Sequence, residues 1–245
     1  MSKSGAVRIF LYNWPIYVGT WALSVVAMFV GLRIGGLVGG LVAAGACVAI
    51  LWSAFSLLVS HYVYDRSVLA RGAWVPSLLA GEPTTWATID AGLDAEVALD
   101  GVVPGTCIAR LDIYDGEQVR APSVRRARAL TPRAHVATQA RATALPLAGA
   151  SCDLVAVVFS AHELRNVEHR QAFFSEVHRV LRPRGRMLLV EHLRDVPNFV
   201  AFGPGFVHFL PRAEWLRLAQ HAGFRVAVET RVTPWVMALA LEKNT

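Results

Sequence analysis

Residues 144–192 run ALPLAGASCDLVAVVFSAHELRNVEHRQAFFSEVHRVLRPRGRMLLVEH, and this stretch decides the fold. Asp153–Ser160 is apolar and β-branched over the length of a buried strand. Val167–Leu181 is longer and polar on one side, with Phe173, Phe174, Val177, Val180 and Leu181 at helical spacing. That stripe predicts a helix with one face on a core. Pro183 and Gly185 mark the end of the helix, and Arg186–Glu191 starts a second apolar strand. Upstream, Ile108–Ile113 is a third such strand and Arg120–Thr131 a further helix. Strands alternating with helices predict an α/β fold, a doubly wound parallel sheet covered on both faces. There is no internal repeat and no low-complexity tract.

The chain has 245 residues, enough for one large domain or a domain with an appendage. With 54% hydrophobic and 17% charged residues it is not a disordered chain. Cys47, Cys107 and Cys152 form no CxxC pair, which excludes a disulfide-stapled fold and a zinc or thioredoxin motif. The net charge of +6 suits nucleic acid or an anionic membrane surface, and the distribution of apolar residues favours the membrane.

From Ile16 to Ser60 the only charged residue is Arg33. The run is about twice the roughly 20 residues that cross a bilayer. Arg33 with Gly31, Gly35 and Gly36 divides it into spans at about 13–32 and 34–60, a transmembrane hairpin within residues 1–65. A signal peptide would have a shorter apolar region and no second span. Tyr12, Trp14 and Tyr17 at one end, and Trp52, Tyr62 and Tyr64 at the other, are expected as interfacial belts. Glycines recur every four residues, at 31, 35 and 39 and again at 36 and 40. That ladder allows close helix packing within the hairpin or in a homo-oligomer, although glycine is also simply tolerated in such helices. Lys3 and Arg8 before the hairpin, and Arg66 and Arg71 after it, place both termini in the cytoplasm at the cell membrane. Residues 66–85 are expected as a linker or helix and 86–245 as the α/β domain.

The quoted stretch resembles the class I S-adenosylmethionine-dependent methyltransferases, in particular their small-molecule, type 11 branch. The resemblance rests on Leu145-Pro146, Cys152-Asp153-Leu154-Val155 and Val180-Leu181-Arg182-Pro183-Arg184-Gly185. Leu210-Pro211-Arg212-Ala213-Glu214-Trp215 and Ala222-Gly223-Phe224 extend it, so that it covers roughly Ile108–Lys243. It implies a Rossmann-like sheet behind the hairpin, S-adenosyl-L-methionine as cofactor, and a ribose-binding carboxylate at Asp112, beside Ile113. A carboxylate at a strand end can accept from two hydroxyls, but Asp112 to Gly116 also has the composition of a β-turn. The family's first loop is Asp-x-Gly-x-Gly-x-Gly; here it corresponds to Asp90-Ala91-Gly92-Leu93-Asp94-Ala95-Glu96, with one glycine. Asp90, Gly92 and Asp94, with Ser160 after the fourth strand, are the further cofactor candidates. Asp94 and Glu96 stand where small residues are usual, and Arg141 stands where the family has an acidic residue, so the domain either binds its cofactor differently or has lost it.

His162, Glu163 and His192 follow strands at the carboxyl edge, where open α/β sheets bind ligands, and are the catalytic candidates. An imidazole there is a general base or a structural group. His162-Glu163-Leu164-Arg165-Asn166 lacks the fourth-residue histidine of a zinc-protease motif, so no metal is expected. Phe199, Phe202, Phe206 and His208 lie in a Pro- and Gly-broken segment after the fifth strand, expected as a lid over a lipophilic substrate unless they are ordinary core. Arg120, Arg125, Arg126, Arg128 and Arg133 lack interleaved aromatics, so no nucleic acid is expected; anionic headgroups or solvent are their expected neighbours. The expected function is a membrane-anchored methyltransferase for a lipophilic small molecule or lipid. The alternative is a degenerate scaffold of the same fold.

Overall fold

The computed structural model describes residues 4–91, 99–116, 121–130 and 137–244. Its strands are β1 (Thr85–Asp90), β2 (Thr106–Asp112), β3 (Thr138–Gln139), β4 (Cys152–Val158), β5 (Leu181–His192), β6 (Phe224–Thr233) and β7 (Val236–Lys243). They form one sheet in the order β3-β2-β1-β4-β5-β7-β6. Strands β1 to β5 are parallel, and β7 is inserted antiparallel between β5 and β6. Strand order reverses between β1 and β4, which opens a crevice at their carboxyl ends. This is the doubly wound α/β sheet that the sequence predicts.

The motif residues brace the opposite edge. Asp153 Oδ2 accepts from the Thr84 and Thr85 amides at 2.9 and 3.0 Å, and Arg182 donates to Oδ1 at 2.9 Å. Burial would raise the Asp153 pKa, but these hydrogen bonds hold it well below the usual carboxylate range. Pro183 and Gly185 do not separate helix from strand as expected, because α4 (Val167–Val180) ends first and both fall inside β5. A bulge absorbs them: the β4–β5 register shifts between Cys152 and Leu154, and Arg184 takes φ 63°. At the other end of α4, Asn166 caps the helix by accepting from the Glu168 and His169 amides.

Two apolar layers cover the sheet. On one face α4 and α6 (Arg212–His221) bury Phe173, Phe174, Val177 and Val180 of the predicted stripe together with Trp215, and Leu181, its fifth member, is buried at the start of β5. On the other face lie Val59, Val63, Leu69, Trp74, Val75 and Leu78, all buried. The expected linker at 66–85 is therefore a core layer, and the base of the hairpin belongs to the same core. Each fully buried aliphatic or aromatic side chain here contributes about 1.5–3 kcal/mol.

The hairpin helices are α1 (Gly5–Ile34), which begins well before the expected start at 13, and α2 (Gly36–His61). Gly35 and Gly36 make the turn with φ of 67° and 56°, where a Cβ would be strained. Both helices are long and apolar enough to cross a membrane, and only 17% of each most apolar window is buried within the protein. Leu23, Phe29, Leu37, Leu41, Leu51 and Leu58 point outward. Tyr12 and Tyr17, expected in a headgroup belt, are instead buried against the rest of the chain, whereas Trp14 is exposed. Tyr17 meets Ser56 and Trp21 donates to Ser53 at 2.7 Å, tying the helices with polar bonds.

Of the glycine ladder, Gly31 and Gly39 form the crossing. A Cβ on Gly39 would lie 2.2 Å from the Gly31 carbonyl oxygen, whereas one on Gly40 meets nothing. Gly39→Val therefore destabilises the hairpin by about 1–3 kcal/mol, while Gly40→Val does not. Unfolding midpoints of the two variants in detergent, compared with the unsubstituted protein, check this.

Candidate active site

A cavity of about 790 Å³ lies between the hairpin and the carboxyl edge of the sheet. Tyr12, Tyr17, Ser56 and Tyr64 wall it from the hairpin, and His162, Glu163, His192, Phe202, His208 and Phe209 from the domain. The domain wall is built by a single turn after β4 and by the segment after β5. That segment comprises α5 (Val196–Phe202) and a 3-10 stretch at Gly203–His208.

The three residues expected to be catalytic are all brought to this wall. His162 Nδ1 meets Glu191 Oε2 at 2.6 Å, and His162 Nε2 lies 3.2 Å from Glu163 Oε1. Burial pushes the His162 pKa down, but Glu191 and Glu163 outweigh it and lift it to about 10. Of the two roles the sequence leaves open for His162, base or structural group, the placement of both ring nitrogens on carboxylates favours the second. Glu163 is buried, and hydrogen bonds from His162 and His208 outweigh that burial and hold its pKa well below the usual range. Among the described residues its Oε2 has no hydrogen-bond partner.

His192 has a different environment. Its Nδ1 faces two acceptors, the Trp235 carbonyl at 2.9 Å and Asn198 Oδ1 at 3.1 Å, so this nitrogen carries the proton. Burial pushes its pKa down to about 4, and the neutral ring accepts from the Tyr64 hydroxyl at Nε2, 2.8 Å away. Tyr64, expected in a membrane belt, instead locks the hairpin base to the site. Trp52 does the same higher up, donating to the Val200 carbonyl at 2.6 Å and meeting Phe199 edge-on.

The candidate lid residues divide. Gly203, at φ 56°, ends α5, so Phe199 and Phe202 lie on that helix and Phe206 and His208 beyond it. Phe202 and His208 line the cavity. Phe199 and Phe206 pack on each other at 5.1 Å, and Phe199 also on Trp52, outside the lining. Val196, Val200 and Val207 are exposed beside them.

At the cofactor edge, Asp90 and Asp112 end β1 and β2 side by side, and the Ile113 amide donates to the Asp90 carbonyl at 2.8 Å. Asp112 is buried, and Arg128 of α3 (Pro122–Leu130) grips its two oxygens at 2.8 and 3.2 Å. Arg128 also donates to the Ala91 carbonyl and lies 4.0 Å over the Tyr114 ring. The basic helix is thus not one solvated face: Arg128 turns to Asp112, Arg126 donates to the Tyr12 carbonyl of α1, and Arg125 alone is exposed among the three. Ser160 is buried and donates to the Val158 carbonyl rather than toward the crevice. Gly92 and Asp94, with Glu96, Arg120 and Arg133, lie outside the described residues.

Sequence alone did not single out Tyr64, Asn198 or Arg128 as site residues. Glu191 shares the strand-end position that points to His192.

Residues 113–189 match a family profile described as a methyltransferase domain. The chain is 48% identical over 61 residues to the ubiquinone/menaquinone biosynthesis C-methyltransferase of Blochmanniella pennsylvanica. That match covers 25% of this chain and 22% of the relative, about a fifth of its length. A solved methyltransferase from Aquifex aeolicus superposes with a TM-score of 0.55 at 15% identity, covering 78% of this chain and 97% of that one. A chain from the complex of the Haloferax volcanii Trm112 activator with a putative methyltransferase gives 0.53 at 14%, covering 75% and 92%. Together with the strand order, these likenesses give the chain from β1 onward the fold of the S-adenosylmethionine-dependent methyltransferases, with residues 113–189 matching the methyltransferase-domain profile.

Proposed function

We propose that the protein is a membrane-anchored S-adenosylmethionine-dependent methyltransferase acting on a lipophilic small molecule or lipid at the cytoplasmic face. The observation that carries this is the cavity, which has apolar helices for one wall and the carboxyl edge of a methyltransferase sheet for the other. The quinone-pathway name of the partial relative agrees with a lipophilic acceptor. Val196, Phe199, Val200 and Val207, exposed beside α2, extend the apolar surface of the hairpin to the cavity rim.

The cofactor fits the strand ends, against one competitor. Asp112 stands where a ribose-binding carboxylate belongs, but Arg128 bonds both its oxygens and the Tyr114 amide donates to Oδ1 at 2.9 Å. Binding is favoured when Arg128 swings away, because its guanidinium competes with the ribose hydroxyls for the carboxylate. The bound cofactor would supply an electrophilic methyl group. The chain's contribution is alignment: the hairpin and Phe202 hold the acceptor's apolar part, and Glu163, His162 and His192 orient its polar end. Tyr64, bonded to His192, excludes water at the hairpin side. The Arg128 grip equally favours the second reading, a scaffold that no longer binds cofactor.

Calorimetric titration of detergent-solubilised protein with S-adenosylhomocysteine separates the two. Arg128→Ala should tighten binding roughly tenfold or more, by removing a competing charged hydrogen-bond pair. Asp112→Ala should weaken it by about 1.5–3 kcal/mol. No binding to the unsubstituted protein or to Arg128→Ala, both folded, would establish the scaffold.

Membrane insertion has its own check. The protein should stay with the membrane through carbonate and high-salt washes, and release by either would remove the hairpin from the bilayer.

For the cavity, Phe202→Ala should weaken binding of a pyrene-labelled lipid about tenfold, the effect of losing one buried phenyl. Phe206→Ala, outside the lining, should not. Equal effects of the two at matched thermal stability would place the lipid elsewhere.

A further inference from the structure

We propose that His162, Glu163 and His208 form a binding site for one divalent transition-metal ion of the zinc type, with an open coordination position facing the cavity. The linear motif lacks its second histidine, and the fold supplies one from 45 residues further on. One ligand atom from each residue lies within 4.8 Å of the other two. Glu163 Oε1 is 3.2 Å from His162 Nε2 and 3.0 Å from His208 Nε2. A tetrahedral ion with bonds of about 2.0–2.1 Å holds its ligand atoms about 3.3 Å apart, so small movements suffice. Two imidazoles and one carboxylate are a donor set for zinc and its neighbours.

The surroundings are those of a metal-binding histidine. Glu191, fully buried, sits 2.6 Å from His162 Nδ1 and so turns Nε2 toward the cluster. A carboxylate behind a histidine fixes its tautomer and orientation in this way. Glu163 is 3% exposed, and among the described residues its Oε2 has no hydrogen-bond partner, with Arg165 Nη2 at 3.8 Å. A divalent ion that displaces the proton of His162 balances the two negative charges of the buried carboxylates Glu163 and Glu191. Arg165 lies against the His208 ring and donates to the His208 carbonyl at 2.8 Å. Its side chain is 39% exposed, so its outer nitrogen can turn to solvent while the main-chain bond keeps the turn in place.

All three ligands line the cavity, so a fourth position opens into it. An acceptor hydroxyl could ligate the ion there and lose its proton more readily. This role rests on the proposed function, whereas metal binding itself does not.

The test uses tag-free, full-length protein in detergent, stripped with chelator and titrated with Co²⁺ and then Zn²⁺. One Co²⁺ per chain should bind with the absorption bands of a four- or five-coordinate ion, and Zn²⁺ should displace it. His208→Ala and Glu163→Gln should each weaken binding at least tenfold, and Glu191→Gln about 10–100-fold. His221→Ala, at the exposed end of α6, should have no effect. His208 lies on a surface turn, and its unfolding midpoint shows whether the variant is folded. Lack of stoichiometric Co²⁺ binding, or a spectrum unchanged in His208→Ala, overturns the site. S-adenosylhomocysteine titration of the same preparations keeps the two ideas apart. Cofactor binding without metal removes only the metal site, and metal binding without cofactor removes only the methyltransferase function.

Discussion

A sheet with two apolar faces is unstable in water until both are covered, and the second face here is covered by the base of the hairpin and the segment after it. Val59 and Val63 continue from α2 directly into the layer formed by Leu69, Trp74, Val75 and Leu78. The hairpin is therefore continuous with the hydrophobic core and is not tethered to it by a flexible linker. Its orientation relative to β4 and β5 is fixed by the same packing that stabilises the sheet.

The position of the site follows from that constraint. Where α1 and α2 pass the carboxyl edge they leave a gap, and the gap is the cavity. Polar bonds define its corners: Tyr64 to His192, Arg126 to Tyr12 and Trp52 to Val200. Each spans more than 100 residues of sequence and joins hairpin to domain. Aromatic residues that composition assigns to a membrane interface act here as buried or bridging hydrogen-bond donors.

The fold was legible where its signals are local. The strand-helix-strand pattern at 153–191, the stripe on α4 and the two apolar runs each depend on neighbours within a few turns. Asp112 was legible too, because a strand end fixes its place whatever surrounds it. The partners were not. Arg128 reaches Asp112 from another helix, and His208 reaches Glu163 from a turn after β5. No periodicity marks such a pair, because the two segments meet only once the sheet has brought their ends together. The break after β5 belongs with the local signals: its glycines and proline are legible in the sequence, and α5 ends at Gly203.

The order in which the ribosome makes the chain gives the hairpin base a further meaning. Every residue of the second apolar layer up to Leu78 is synthesised before the first residue of β1. Domains assemble from the amino end as they emerge. The covering layer is thus in place before there is a sheet to cover, and each strand from β1 onward can settle on a surface already made. A nascent parallel sheet is slow to pair and prone to aggregate while its faces are bare. In this protein one of those faces finds its partner waiting, so the hairpin acts as a template for the domain's own biosynthesis.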